Sequence, residues 1–209
     1  MKLSEIRVIC FSPTRTSSKI ATSVAEGVGA APIVKTDLTR EACEWSASGD
    51  VLTVIAVPVY GGKVAPLALK RMERIRGNGT PAVLIVVYGN RAYGGALNQL
   101  DAWAVAHGFV PIAAGTFIGE HSYSTVEFPI AQGRPNEQDL AYARTFGERI
   151  RKRVESAKTL TAVDVKHIAR PKQSLFALIR FIVAVLKWQR RKEPMQRSPK
   201  VDPERCVHC

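Results

Sequence analysis

Two stretches of the chain are almost wholly apolar: VLTVIAVPV at residues 51–59 and AVLIVVY at residues 82–88. Unbroken runs of that length suit parallel strands covered on both faces, not strands with one wet face. Shorter apolar runs at 6–11, 34–38 and 109–117 predict three more strands. Between the strands the pattern turns helical, at 17–26 (ended by Gly27 or Gly29), 65–75, 95–106 and 137–154. The third of these helices offers Leu97, Leu100 and Val105 to the core. Strands alternate with helices of similar length, which predicts an α/β fold around a parallel sheet.

Beyond residue 156 the pattern changes. An apolar stretch, SLFALIRFIVAVLKW, fills residues 174–188 and is interrupted by Arg180. It is too short to span a bilayer. Basic residues gather at its end, as in an interfacial membrane helix. Packing on the folded core or on a second subunit is the preferred reading, and exposure would promote self-association. A polar, basic linker follows, and the last four residues are CVHC. The expected division is a folded domain over 1–156, a basic linker with its helix over 157–200, and a cysteine-bearing segment over 201–209.

With 209 residues, 46% of them hydrophobic, the chain can bury one sizeable core. No apolar segment of signal-peptide type opens it, so a cytoplasmic protein is expected. The formal charge is +12, and residues 155–209 carry 12 basic and 5 acidic side chains, a local +7. Such a tail suits an acidic protein or an anionic lipid. Nucleic acid is not expected, because the basic residues are not interleaved with an aromatic platform. Cys10 falls within a strand and reads as a small core residue, while Cys43 is isolated in a polar segment.

In a doubly wound sheet, ligands sit beyond the carboxyl ends of the strands. Three strand-end segments therefore matter. The first is SPTRTSS, where Ser12, Thr14, Thr16, Ser17 and Ser18 offer hydroxyls around Arg15. With the free N–H groups of the following helix, they suit a monophosphate. An ordinary helix cap by Ser12 or Thr16 is about equally compatible with this loop alone. Neither a Walker lysine nor a glycine-rich dinucleotide fingerprint is present. The second segment runs through Val59, Tyr60, Gly61 and Gly62, and the third through Tyr88, Gly89, Asn90, Arg91 and Tyr93. Aromatic faces beside glycine backbone suit a planar heterocycle. Plain glycine turns and half-buried strand-end tyrosines are the competing readings. Three such loops at one sheet end carry more weight than any one of them.

The stretches FSPTRTSSKIA, VPVYGGKVAPLAL, GNGTPAVLIVVYGNRAYGGAL and AAGTFIGEHSYS resemble the flavodoxin part of a flavodoxin–ferredoxin fusion family, over residues 6–154. The resemblance implies a three-layer sandwich with a five-stranded parallel sheet. It also implies flavin mononucleotide (FMN) as cofactor, and electron transfer to or from a redox protein. Ser12, Thr14, Thr16 and Ser17 then match phosphate-loop positions, Tyr60, Gly61 and Gly62 the second flavin loop, and Gly89, Asn90, Arg91 and Tyr93 the third. Arg15 departs from the pattern, standing where such loops usually carry glycine. Its guanidinium either reaches the phosphate or crowds the helix entry, and a turn with positive φ there would strain it.

The resemblance further implies that Cys206 and Cys209 begin a ferredoxin module, cut short. Two thiolates cannot complete a four-cysteine cluster, so an empty motif is expected. Glu120, His121 and Tyr123 lie in GEHSYS, a loop that can approach the same sheet end. His121 either sits near the ring of a bound flavin or gates a partner, or is an exposed loop histidine; the non-catalytic reading is preferred, since no partner Asp or Cys is visible. The leading expectation is an FMN-binding electron carrier. An FMN-dependent reductase of a quinone or other small acceptor is the enzyme alternative. A flavin-free scaffold with a basic tail is the third.

Overall fold

The computed structural model describes residues 2–47, 50–157, 159 and 161–168. In a second unit, 172–209, it describes Leu175, Phe176, Ile179, Arg180, Ile182, Val183 and Leu186. Cys206, Cys209 and the basic segment after the apolar stretch, residues 187–205, lie outside the described residues.

The chain runs β1 (Glu5–Cys10), α1 (Thr16–Val28), β2 (Ile33–Asp37), β3 (Trp45–Ser46), β4 (Val51–Tyr60), β5 (Lys63–Val64) and α2 (Pro66–Met72). It continues through β6 (Ile75–Arg76), β7 (Pro81–Tyr88), α3 (Ala96–Ala106), β8 (Val110–Ile118) and α4 (Glu137–Ser156). A single 3-10 turn follows at Val165–His167. The main sheet has the order β2-β1-β4-β7-β8. Every neighbouring pair along it is parallel. β5 folds back antiparallel on the end of β4. The α/β fold with its parallel sheet is therefore as the apolar pattern predicts.

The two unbroken apolar runs became two of the sheet's three interior strands, β4 and β7. Residues 51–57 and 81–87 are all buried. Alternate residues feed two cores, one on each face of the sheet. Val54, Ala56, Val83 and Ile85 pack with α1 and α4. Ile55, Val57, Leu84 and Val86 pack with α2 and α3. On the first face two glycines let the helices cross at backbone contact. A Cβ on Gly27 would lie 2.0 Å from the Arg144 carbonyl oxygen, and one on Gly147 2.1 Å from that of Val24.

Three expectations need correction. The helix over 65–75 stops at Met72, because Ile75 leaves it to pair with Trp45 in a small two-stranded sheet. Val105 is 57% exposed, whereas Leu97 and Leu100 are buried. At 3.6 residues per turn, position 105 lies about 140° around the helix from Leu100. Phe109 precedes β8, yet its ring is buried in the second core.

In the second unit, the described residues between 175 and 186 are helical. Their apolar side chains are exposed, Leu175 at 71% and Phe176 at 69%. No helix among the described residues is long and apolar enough to cross a membrane.

Candidate functional site

The sheet order reverses direction between β1 and β4, since the chain leaves β1 first for β2 on one side and then for β4 on the other. The crevice at such a reversal is where open α/β sheets hold ligands. The first two candidate loops follow these two strands, and the third follows β7 beside them.

The loop after β1 is narrow and held from outside. The Ser12 N–H donates to Thr39 Oγ1 at 2.9 Å. Arg71 of α2 fixes that neighbouring segment by donating to the carbonyls of Leu38, at 2.7 Å, and Thr39. Ser12 Oγ accepts the Ser18 N–H at 3.0 Å, so Ser12 satisfies a first-turn donor of α1. That leaves Thr14 and Thr16, whose hydroxyls bond each other at 3.2 Å. Ser17 Oγ is buried without a hydrogen-bond partner. A buried hydroxyl left unpaired is unfavourable by about 1–3 kcal/mol. The first N–H groups of any α-helix add donors without intrahelical partners.

Arg15 ends the turn at φ 62°, ψ 1°, in the left-handed region. The position does require positive φ, and arginine adopts it. Its side chain is exposed and makes no ion pair among the described residues. A cavity of about 420 Å³ opens beside it along α1, lined by Lys19, Lys35 and Arg144 among others. The second and third loops do not line this cavity, so it is not the place for a ring stacked on Tyr60 or Tyr88.

The second and third loops meet backbone to backbone. Gly95 N–H donates to the Gly62 carbonyl at 2.9 Å. Gly94 has φ 54°, and a Cβ there would lie 2.6 Å from the same oxygen. Gly61 and Gly62 also have positive φ. Gln99 of α3 reaches up to accept the Val64 N–H at 2.9 Å. Val59 pairs with Val64 in the hairpin, which leaves Tyr60 at the tip, 51% exposed. Asn90 and Arg91 are exposed, and Asn90 has φ 57°. Tyr88 is half-buried, and Tyr93 is turned into the core at 8% exposure. Their rings meet edge to face at 5.6 Å. Tyr93 therefore supports the loop from beneath, and its position corrects its reading as a ring face offered to a ligand.

A fourth loop, after β8, the one carrying GEHSYS, closes on this group. Gly119 sits between the first and third loops: a Cβ there would lie 2.9 Å from Val87 Cγ1 and 3.3 Å from Thr16 Cβ. Gly119 N–H donates to the Tyr88 carbonyl at 2.9 Å. The ring of His121 lies on Gly89, where a Cβ would come within 2.3 Å of its Cδ2. The glycines of GTFIGEH and YGN were the available signal, but only the fold makes Gly89 and His121 neighbours.

Cys10 is no nucleophile. Burial pushes its thiol up to about 11, against a smaller opposing effect of the Ser18 hydroxyl. Cys43 is half-buried and donates to the Glu44 carbonyl. Among the described residues, no group of three His, Cys, Asp or Glu side chains is placed to hold a metal.

No family model matches the chain, and no curated protein matches it. Solved structures do. Oxidised flavodoxin 1 from Bacillus cereus aligns with a TM-score of 0.51 at 14% identity, over 74% of this chain and 100% of that one. An apo NADH:FMN oxidoreductase aligns with a TM-score of 0.52 at 12% identity, over 77% of this chain and 95% of that one. A flavodiiron core from Synechocystis gives 0.52 at 12% identity, over 75% of this chain but only 37% of that one. Identities this low speak for architecture alone, and with the strand order above they establish that the chain carries a flavodoxin-like α/β domain.

Proposed function

We propose that this chain is an FMN-binding electron-transfer flavoprotein of flavodoxin type. The observation that carries the reading is the convergence of three loops at the reversal of strand order. One is rich in hydroxyls, and two offer glycine backbone and tyrosine rings. In this reading Thr14, Thr16 and Ser17 hold the phosphate with the first N–H groups of α1. The buried, unpartnered hydroxyl of Ser17 supports that role. Ser12 and Ser18 shape the loop. Tyr60 and Tyr88 flank the ring, and the backbone of residues 61–62 and 89–91 meets its polar edge. FMN, when bound, supplies the redox chemistry, and the chain supplies position and hydrogen bonds.

Electrons would pass to or from a redox protein. The family resemblance adds a finer proposal: Cys206 and Cys209 match the opening pair of a ferredoxin-type motif, and two thiolates alone leave that motif empty of a four-cysteine cluster.

The test is an absorbance spectrum of gently purified protein, with the released cofactor identified. Bands near ~370 and ~450 nm, with FMN released, are the expected result. Replacing Thr14 and Ser17 together by alanine weakens FMN binding about tenfold or more. Unchanged affinity in a titration of that variant would remove the phosphate assignment.

A further inference from the structure

We propose that His121 is a ligand-contacting residue, donating its Nε2–H to the polar edge of the ring held by the third loop. The inference rests on the flavin reading above and extends it to a fourth loop. Four observations carry it.

The first is place. The Cδ2 of His121 lies against Gly89, in the turn that follows β7. Nε2 is the ring atom bonded to Cδ2, so it lies at the same edge of the imidazole. The second is the tautomer. Tyr123 N–H donates to His121 Nδ1 at 3.1 Å. A nitrogen that accepts carries no proton, so the neutral ring bears its hydrogen on Nε2. The third is that Nε2 has no hydrogen-bond partner among the described residues, although the ring is only half exposed. No carboxylate among them forms an ion pair with this imidazole.

The fourth is how firmly the ring is placed. His121 N–H donates to the Ile130 carbonyl at 3.1 Å, and Ser124 N–H to the His121 carbonyl at 2.8 Å. Ile130 N–H donates to Ser124 Oγ at 3.0 Å. Glu120 accepts the Gly133 N–H at 3.0 Å, and its own N–H donates to the Arg134 carbonyl at 2.8 Å. Arg134 in turn pairs with Asp139 at the start of α4. These bonds hold the backbone on either side of His121 and leave its Nε2 without a partner among the described residues. A glycine facing the ring at residue 89 completes the arrangement, since any side chain there would displace it.

Two measurements on the FMN-titrated protein test the proposal. In the first, the ring nitrogens of His121 are followed by long-range proton–nitrogen NMR. The expected result is an Nε2–H tautomer whose Nε2 resonance moves on FMN addition. In the second, His121→Phe keeps a flat ring but loses the donor, and His121→Gln keeps an N–H donor near the same place. The phenylalanine variant should bind FMN about three- to tenfold more weakly and shift the bound flavin's midpoint potential. The glutamine variant should recover most of both. A purely structural ring would be served at least as well by phenylalanine, with no recovery by glutamine. FMN bound by the wild type with an unmoved Nε2 resonance overturns this inference alone. A wild type that binds no FMN overturns it together with the flavin reading.

Discussion

The loop after β1 and the loop after β8 reach the same edge of the sheet by opposite means. The first is a few residues long, and its rigidity comes from elsewhere: Thr39 and Arg71 brace it, and Arg15 accepts a left-handed backbone. Ser12 is engaged on both sides and the Thr14 and Thr16 hydroxyls bond each other, while the Ser17 hydroxyl has no partner. The last loop is more than twice as long and braces itself through bonds among residues 120–139. Its apolar side chains face outward, with Tyr123 79%, Val126 91% and Phe128 71% exposed. The contrast has a physical reason. In the proposed flavin reading, the first loop keeps donors for an anion, whereas the last positions a single group and can spend others on its own structure.

The strongest way to break this comparison is to separate the last loop from the third. In Gly89→Ala the new Cβ would lie 2.3 Å from His121 Cδ2 and 2.8 Å from His121 Cβ. Because His121 Cβ is also close, turning the ring aside cannot fully relieve the clash. The expected loss is about 2–3 kcal/mol, typical of overpacking, or else a displaced loop. Urea unfolding measures the first outcome. A loss of the Tyr123-to-His121 hydrogen bond in the NMR spectrum reports the second. A fully stable variant with an unmoved His121 would show that the two loops are not seated on each other.

Next in size is the outer anchor of the last loop. Asp139 accepts from the Arg134 side chain and from the Asn136 N–H, and its own N–H donates to Asn136, which closes a capping box on α4. The Arg134 guanidinium chiefly holds the Asp139 carboxyl below its ordinary value, with burial opposing and the Asn136 N–H helping. Asp139→Asn should remove about 1–2 kcal/mol at neutral pH. Because the folded carboxyl titrates below the unfolded one, its stabilisation is complete above roughly pH 4–5. It is lost as pH falls through the lower folded value. The gap between wild type and variant should therefore be constant from neutral pH to about pH 5 and close below pH 4. A gap that widened on acidification would contradict the ion pair.

The two loops also differ in how far the sequence reveals them. The sheet was legible because β4 and β7 are buried on both faces and so carry almost no polar residues. The first loop stood out because five of its seven residues, 12–18, carry hydroxyls. The second and third announced themselves through glycines, although pattern alone could not say that Gly62 and Gly94 touch each other, or that Tyr93 points inward. The last loop was legible only as one that can approach the same sheet end, not in its contacts. Its bonds join residues of ordinary composition, and the contact of His121 with Gly89 spans 32 positions of sequence. The short strands β3 and β6 escaped for the same reason: two residues carry no period, and only pairing defines them.

A smaller effect tests the first loop's cap. Ser12→Ala removes the acceptor for the Ser18 N–H and should destabilise the domain by about 1 kcal/mol. FMN affinity should fall less than in the Thr14, Ser17 double variant, since Ser12 Oγ is already engaged. A Ser12 variant that lost FMN as completely as the double variant would move Ser12 from shaping the loop to holding the ligand.

The smallest effect expected concerns Arg15, and its sign is the informative part. The left-handed backbone at φ 62° is unfavourable for a residue with a Cβ by about 1–2 kcal/mol. Glycine removes that strain, but it raises the entropy of the unfolded chain by an amount worth about 0.5–1 kcal/mol. Arg15→Gly should therefore stabilise the apo protein slightly, by about 0.5 kcal/mol, which a urea titration can resolve as a small rise in midpoint with unchanged slope. FMN affinity then separates the two roles of the side chain. If the guanidinium reaches the phosphate, affinity falls in the glycine variant although stability rises, and salt narrows the difference. If it only crowds the turn, affinity and stability rise together. A glycine variant that is less stable than wild type would mean that the Arg15 side chain makes a favourable contact large enough to outweigh the backbone strain, and the first loop would then brace itself as the last one does.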